Sequence, residues 1–262
     1  MGNDYRMIEL LKDDLYLLKQ LDLPKRNVDI QGYFQGIISG HAWINKKSNP
    51  TTAILIVADF CILVGDIDTN EESWIIEILS TNCKGKLIIS ENLNWHEFIE
   101  KNFKETFKKY KRYSIKREPD VFDKNKLNEY ILSVQPKFTP IRIDEKIYYK
   151  ALERYWTADF CSNFSSLDNY LKYGVGYVVM QDGEIISGAS SYSYCEGAID
   201  ITIETKAEYK RQGLALACVS KVILECIEKG LYPQWDASSL PSVALAEKLG
   251  YNMDKEYWVY FI

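Results

Sequence analysis

The chain contains very little histidine. Only His41 and His96 occur among its 262 residues. A Ser–His–Asp arrangement, or a site built from several histidine ligands, needs more histidine than this chain supplies. His96 lies in NWHEFIEKNF, whose aromatic and aliphatic residues mark one apolar face, so we expect it on the exposed side of a helix. We therefore expect neither histidine-based catalysis nor a metal cofactor.

Paired cysteines and long apolar runs are also missing. The six cysteines form no CxxC pair; Cys218 and Cys226 fall within a helical pattern and Cys61 within an apolar run. We interpret them as small buried side chains in a reducing compartment. The first residues lack the basic and apolar regions of a signal peptide, and no apolar run approaches the length that crosses a bilayer. We expect a cytoplasmic protein with no membrane partner.

Positive charge is in short supply as well. The chain has 32 Lys and Arg against 37 Asp and Glu, a formal net charge of −5, which argues against a general nucleic-acid-binding protein. The exception is Lys101–Arg117, where basic and aromatic residues alternate as they do in single-strand binders. A capping-box pattern at Asn94 and Glu97 predicts a helix that runs to about Phe107. We interpret the lysines as its solvated face and expect no nucleic-acid partner.

Two prolines in QPKFTP, at Gln135–Pro140, lie between periodic segments and predict a domain boundary. We expect an N-terminal α/β domain of unknown role over 1–135 and a second domain over 136–262. In the second domain, turns at Asp182-Gly183 and Glu196-Gly197 separate three strands. A helix, a strand, a helix and a final strand follow, and we expect all of these strands in one mixed α/β sheet. The predicted segments are Tyr177–Gln181, Glu184–Ser191, Ala198–Thr205, Leu214–Lys229, Tyr232–Ala237, Pro241–Leu249 and Tyr257–Ile262.

A short basic loop joins the third of these strands to a glycine that opens the next helix. Free backbone N–H groups at a helix start bind anions, and glycine lets the backbone approach a phosphate closely. Lys206, Lys210 and Arg211 add positive charge at this point. The pattern indicates an anion site; a glycine that only relieves crowding would give the same pattern.

Two segments resemble the GNAT acetyltransferase superfamily. KRQGLA, at Lys210–Ala215, is similar to its pyrophosphate loop, Q/R-x-x-G-x-G/A, and SVALAEKLGY resembles its later A-x-x-L-Y-x-K-x-G-F segment. Their order and separation also fit, and the resemblance covers roughly Phe138–Ile262. A bacterial subgroup with an extra N-terminal domain carries similar YPxWDA and SVALAEKLGY runs. The resemblance implies a mixed, mostly antiparallel sheet flanked by helices, a smaller N-terminal α/β domain, and an acetyl-CoA-dependent N-acetyltransferase without a metal.

The resemblance also implies which residues hold acetyl-CoA. Gly213 and Ala215 take the two small positions of the loop, and Lys210 stands where Gln or Arg is usual. Ser239 occupies the position of a common Asn; the same serine, followed by Pro241, is also typical of a helix N-cap. The full set implied is Ile203, Thr205, Lys210, Arg211, Gln212, Gly213, Leu214, Ala215, Ser239 and Ser242.

The catalytic groups are less well defined. The family often has a tyrosine as general acid where this chain has Ala246, so Tyr251, Tyr257 or Tyr192 could substitute, or the thiolate leaves unaided. Alternation on Ala198–Thr205 puts Asp200, Thr202 and Glu204 on one face of the strand. A carboxylate there could deprotonate an amine. We take Glu204 as the first candidate and Asp200 as the second; carboxylates solvated or paired with Lys206 would look the same.

The hypothesis is direct transfer to a primary amine on a small molecule or a protein, and a homodimer is a further expectation. Covalent catalysis through Cys195 or Cys218 lacks a neighbouring histidine. A non-catalytic acyl-CoA-binding regulatory module is the alternative, because the usual tyrosine is missing.

Overall fold

The structure, a computed structural model, describes residues 6–24 and 27–262. None of the helices in these ranges is long and apolar enough to cross a membrane. The strands are β1 (Ile8–Glu9), β2 (Gly40–Ile44), β3 (Thr52–Val57), β4 (Phe60–Gly65), β5 (Leu87–Ile89), β6 (Lys108–Ile115), β7 (Ile141–Arg142), β8 (Gly176–Gln181), β9 (Glu184–Cys195), β10 (Ala198–Thr205), β11 (Tyr232–Gln234), β12 (Asp236–Ala237) and β13 (Met253–Phe261). The α-helices are α1 (Val28–Phe34), α2 (Glu72–Asn82), α3 (Leu93–Asn102), α4 (Lys124–Leu132), α5 (Glu145–Leu152), α6 (Tyr155–Ala158), α7 (Leu167–Tyr173), α8 (Leu214–Glu228) and α9 (Leu240–Lys248). Short 3-10 helices span Lys12–Gln20, Pro136–Phe138 and Ala207–Tyr209.

The chain forms two compact units that interleave along the sequence. Of the described residues, unit 1 contains 6–24, 27, 39–111 and 257–262, and unit 2 contains 28–38 and 112–256. The helix α1, from the N-terminal part of the chain, thus belongs to unit 2. The predicted domains 1–135 and 136–262 stay a prediction; the compact units are divided differently.

Unit 1 is a small α/β structure. Its strands β2, β3 and β4 are antiparallel neighbours, and β5 runs parallel to β4. The β3 strand is buried along its whole length, as its continuous apolar sequence TAILIV requires. The helices α2 and α3 contribute apolar side chains to the same core, including the fully buried Trp95.

Unit 2 is built on a five-stranded sheet in the order β11-β10-β9-β8-β7. The neighbours are antiparallel except β10 and β11, which are parallel. One face packs on the long helix α8, whose residues Ala217, Cys218 and Val222 are fully buried against Ile199 and other sheet residues. The opposite face is covered by α1 near the β9–β10 turn, where Val28 packs on Cys195 and Ala198. These contacts confirm the mixed, mostly antiparallel sheet with flanking helices.

The β8–β9 hairpin follows its sequence pattern. Asp182 and Gly183 both have positive φ, at 51° and 77°, as the predicted Asp-Gly turn requires. The expectation of one sheet for the whole C-terminal half is wrong. After Trp235 the chain leaves β10, and Asp236 of β12 pairs with Ser114 of β6 instead.

The helix predicted from Asn94 to about Phe107 is also wrong at both ends. Its N-cap is Asn92, whose side chain accepts a hydrogen bond from the Asn94 N–H, and the helix α3 ends at Asn102. The lysine-rich segment that follows is the strand β6, not a solvated helix face. Phe103 and Phe107 still pack against the unit 1 core, but from a turn.

Gly32 fixes the approach of α1 to the sheet, and its replacement tests that packing. A Cβ at Gly32 would overlap the carbonyl oxygen of Tyr194 on β9. Ala normally stabilises a helix relative to Gly by up to about 1 kcal/mol. Here the overlap reverses the sign, and we expect Gly32→Ala to lower the free energy of unfolding by about 1–3 kcal/mol in urea titrations. Gln31→Ala, on the exposed side of α1, is the control. A stabilised Gly32→Ala protein would show that α1 does not pack in this way.

Candidate functional site

The candidate site is the opening between β10 and β11. These parallel strands pair from Ala198 opposite Tyr232 to Asp200 opposite Gln234. The strand β10 then continues to Thr205, while β11 ends. The edge of β10 that faces β11 therefore lacks a strand partner over 201–205 within the described residues. An exposed strand edge of this kind can pair with an extended ligand.

A buried aromatic group holds the departing strand away from β10. The Trp235 ring packs edge-on against Tyr251, and its Nε1 donates to Ser242 Oγ at 3.2 Å. The Tyr251 hydroxyl donates to the Pro233 carbonyl at 2.6 Å. Trp235 and Tyr251 are almost completely buried. The position where β11 leaves β10 is thus fixed by packing as well as by hydrogen bonds.

The loop at the wide end of the opening carries two left-handed residues. Arg211 has φ 63° and Gly213, the N-cap of α8, has φ 81°. Among the described residues, the backbone N–H groups of 211–216 donate no hydrogen bond. Left-handed residues in a loop and a helix start both gather N–H groups that bind anions.

The space and the side chains around this loop fit a phosphate group. A Cβ added at Gly213 would contact Val134 at 3.7 Å and Ser133 at 3.8 Å, so no atom crowds the glycine more closely than van der Waals distance. The side chains of Lys210 and Arg211 are exposed, and the Gln212 amide donates to the Glu208 carbonyl at 3.2 Å. Leu214 is buried in the core, so only its backbone could contact a ligand, whereas Ala215 is partly exposed.

Between the loop and the closed end of the opening, the side chains of β10 alternate between the two faces of the sheet, as predicted. Ile203 packs against the α8 core, and the Thr205 hydroxyl lies 2.7 Å from the Ser187 hydroxyl. Glu204 lies on the opposite face across from Gly188. Partial burial raises the pKa of the Glu204 carboxyl, and the nearby Lys210 charge opposes that rise. Glu204 therefore lies at the loop end of the strand.

Asp200 lies at the closed end, where β10 and β11 part. The pairing of β10 with β9 also shifts register between Asp200 and Ile201. Burial raises the pKa of the Asp200 carboxyl well above its ordinary value, the charges of Asp29 and Asp236 raise it further, and Arg112 opposes them. Its Oδ1 atom is buried and has no hydrogen-bond partner among the residues that the structure describes. A carboxyl in such surroundings holds its proton to a higher pH than a solvated one.

Three further residues around Asp200 were not predicted. Asp29, on α1, is 2% exposed. Arg112 Nε donates to Asp236 Oδ1 at 2.7 Å, forming an ion pair that is mostly buried. No spacing pattern links these positions to Asp200, because the contacts join distant parts of the chain.

The remaining predicted positions lie in or next to α9, on β9 and on β13. Ser239 is the N-cap residue of α9 but its side chain makes no capping hydrogen bond, and Ser242 accepts from Trp235. Ala246 is fully buried, and the Tyr251 hydroxyl donates its hydrogen bond to the Pro233 carbonyl. Tyr192 lies at the register shift of β9, and Tyr257 belongs to unit 1.

Clusters of three or more His, Cys, Asp or Glu side chains that could hold a metal ion do not occur within 6–24 and 27–262. The expectation that the protein uses no metal stays a prediction.

Comparisons with known proteins give the family context. The family model described as GNAT acetyltransferase matches residues 25–260, a wider range than the resemblance over Phe138–Ile262. The uncharacterised N-acetyltransferase YdfB of Bacillus subtilis strain 168 is 27% identical over 203 residues, which are 65% of this chain and 74% of YdfB. A crystal structure of a GCN5-related N-acetyltransferase-like protein from Streptococcus suis is 28% identical, with a TM-score of 0.85 over 95% of this chain and 98% of that one. A Drosophila protein at 13% identity shares the fold, with a TM-score of 0.57 over 97% of each chain.

The cysteine thiols should be unreactive in the folded protein. All six are free and buried, and burial raises the pKa of Cys161 and Cys218 to about 12 and that of Cys195 above its ordinary value. A thiol with a raised pKa holds few thiolate anions near neutral pH, and the thiolate is the reactive form. We expect no rapid reaction with Ellman's reagent in the folded state and six thiols per chain in urea. A thiol that titrates rapidly in the folded protein would contradict this and reopen covalent catalysis.

Proposed function

The chain belongs to the GNAT acetyltransferase family, and we propose that it transfers the acetyl group of acetyl-CoA to a primary amine by direct attack. The observation that carries the proposal is the opening between β10 and β11. It leads from a loop with unpaired N–H groups to the carboxyl group of Asp200. An anion site and a proton acceptor therefore lie at the two ends of one exposed strand edge. Acetyl-CoA supplies the activated thioester.

We assign the two ends of the opening to the two ends of acetyl-CoA. The backbone N–H groups of 211–215 would hold the pyrophosphate, with Lys210 and Arg211 adding positive charge. The free edge of β10 at Ile203 and Thr205 would pair with the amide groups of the pantetheine arm, as an added strand does. Ser239, at the start of α9, and Ser242 would lie along the other side. This order brings the reactive end toward Asp200.

This order also chooses between the two candidate bases. Four residues of extended strand separate Asp200 from Glu204, about 13 Å along the sheet. Glu204 lies beside Lys210 and the phosphate end, whereas Asp200 lies at the closed end. A base must lie within hydrogen-bond reach of the proton that it takes, directly or through one water. We therefore propose Asp200 as the general base and assign Glu204 no proton transfer.

The proton balance of the reaction needs one base. Asp200 takes a proton from the acceptor's ammonium group, directly or through a water, and the free amine attacks the carbonyl carbon. Free N–H groups of the β10 edge polarise the carbonyl oxygen. The nitrogen–carbon bond forms, the carbon–sulfur bond breaks, and the departing thiolate takes up one proton while the amide nitrogen loses one. We assign no dedicated acid, because Ala246 occupies the family's tyrosine position and Tyr251 donates to Pro233.

The first test measures thiol release from acetyl-CoA with a panel of primary amines. We expect Asp200→Asn to lower kcat/KM by about 10²- to 10⁴-fold, the usual cost of losing a general base. Glu204→Gln should change it less than about threefold, since Glu204 lies near the phosphate end in this scheme. The acid limb of the wild-type pH profile should lie above the ordinary range of an aspartate, because Asp200 must be ionised to act and burial raises its pKa.

Stability separates a catalytic from a structural role for Asp200. Its folded pKa is raised above the unfolded value of about 3.9, so its contribution to stability falls as the pH rises through the interval between the two. Asp200→Asn should therefore unfold at a higher urea concentration than wild type at pH 8 while losing activity. If Glu204→Gln lowered kcat/KM more than Asp200→Asn does, our assignment of the general base would be reversed. Thermal stabilisation by acetyl-CoA without thiol release from any amine would favour the non-catalytic acyl-CoA-binding module.

The second test concerns Gly213. Ala in a left-handed conformation costs about 1–2 kcal/mol, so Gly213→Ala should lose stability and also shift the loop. We expect its acetyl-CoA affinity to fall by about tenfold or more in calorimetric titrations, which corresponds to about 1.4 kcal/mol. Gly230→Ala is the matched control, since Gly230 has φ 68° just beyond the other end of α8 and open space around it. Equal affinities of the two variants for acetyl-CoA would contradict the assignment of the loop.

A further inference from the structure

We propose that the surroundings of Asp200 form the acceptor subsite, and that this subsite takes cationic primary amines whose reacting nitrogen has no carboxylate on the neighbouring carbon. The inference rests on the proposed function and adds a substrate class to it. The residues of the proposed subsite are Asp29 on α1, Asp200 on β10, Asp236 on β12 and Ser193 on β9.

The charge around Asp200 favours an ammonium group over a carboxylate. The charges of Asp29 and Asp236 raise the pKa of Asp200, and the charge of Arg112 opposes them. Arg112 already pairs with Asp236 at 2.7 Å. An acceptor with a carboxylate beside its amine would bring a further negative charge among these groups. Like charges brought together at a binding site repel each other, whereas an ammonium group would be attracted.

Ser193 supplies an observation independent of the acidic groups. Its Cα pairs directly with that of Asp200, so both side chains point to the same face of the sheet, with Cβ atoms about 4.5–5.5 Å apart. Ser193 is 0% exposed and, in the described part of the chain, its Oγ atom has no hydrogen-bond partner. Buried hydroxyl groups are normally hydrogen-bonded. A hydroxyl and a carboxylate oxygen on neighbouring strands, both without partners, are two acceptors suited to an ammonium donor.

The subsite can be reached and lies where the reaction needs it. Asp200 keeps part of its surface exposed although its Oδ1 atom is buried, and the Asp236 side chain is 26% exposed. Asp200 is also the last residue of β10 paired with β11, so the acceptor would meet the closed end of the opening. Asp29 contacts no reacting atom in this scheme and is a positioning residue, which holds the negative field around Asp200.

Matched amine pairs test the substrate class on the wild-type protein. Tyramine with tyrosine, histamine with histidine, and ethanolamine with serine each differ by one carboxylate beside their only primary amine. We expect kcat/KM to be at least about tenfold higher for the member without the carboxylate, a difference of about 1.4 kcal/mol. Equal values within each pair would overturn the inference and leave the proposed function standing. No thiol release with any amine would overturn both.

Asp29→Asn tests the positioning role. Removing this charge should raise KM for the cationic amines several-fold. It should also reduce the ratio of the two kcat/KM values within each amine pair. The acid limb of the pH profile should move to lower pH, because Asp29 raises the pKa of Asp200. The other ionisable groups that interact with Asp200 are Arg112, Asp236, Cys195 and Tyr251. Asp168→Asn is the control, since Asp168 is an exposed carboxylate in the first turn of α7. An unchanged ratio and pH profile would overturn the role of Asp29.

Ser193→Ala keeps the inference testable if Asp29→Asn does not fold. Removing a hydroxyl that has no partner loses no hydrogen bond, so stability should be equal to or above that of wild type. We expect KM for the amine to rise several-fold, with kcat less affected and acetyl-CoA affinity unchanged. Ser220→Ala is the matched control, because Ser220 on α8 is also 0% exposed and its Oγ atom has no hydrogen-bond partner within 6–24 and 27–262. Identical kinetics for the two variants would remove Ser193 from the subsite.

Discussion

The candidate site depends on the point at which β11 leaves β10. The two strands pair for three residues, and then Trp235 turns into the core while β12 pairs with β6. The Trp235–Tyr251 contact and the hydrogen bond from Tyr251 to Pro233 hold that exit in place. A sheet normally satisfies both edges of an inner strand. Here one edge of β10 is left free by the packing of aromatic residues, and the loop before α8 and the carboxyl of Asp200 take their places relative to it.

The free edge explains why a carboxylate with a raised pKa is tolerated at its closed end. A buried carboxyl without hydrogen bonds lowers stability once it ionises, so a purely structural position would favour an apolar or an amide side chain. Ionised Asp200 lowers stability in this way. The charge of Asp29, on a helix of the same compact unit, increases the loss. Strained or poorly satisfied groups concentrate at functional sites because the surrounding fold can support them. The extensive core between α8 and the sheet provides that support.

The parts of the fold that local chemistry determines were predictable from the sequence. The Asp182-Gly183 turn, the glycine that begins α8 and the alternation along β10 all follow from backbone conformation or side-chain period. The separation of β11 from β12 could not be predicted from the sequence. The two residues of β12 pair with β6, and the sequence of β6 had been interpreted as part of a helix. The position of Asp29 near Asp200 could not be predicted either. Its role comes from the packing of α1 on β9 and β10, and no sequence spacing records a contact between such distant segments.

Unit 1 shows that diverging parallel strands alone do not make such a site. Its β4 also runs parallel to a shorter strand, β5, and continues past the last paired residue. There, however, the Ser90 hydroxyl donates to the Leu63 carbonyl at 2.9 Å, and the Trp95 indole donates to the Gly65 carbonyl at 2.9 Å. The loop before α2 carries acidic residues such as Asp68, where a phosphate would be repelled. Free backbone groups and the sign of the local charge, rather than strand order, therefore distinguish the opening in unit 2, which we propose as the acetyl-CoA site.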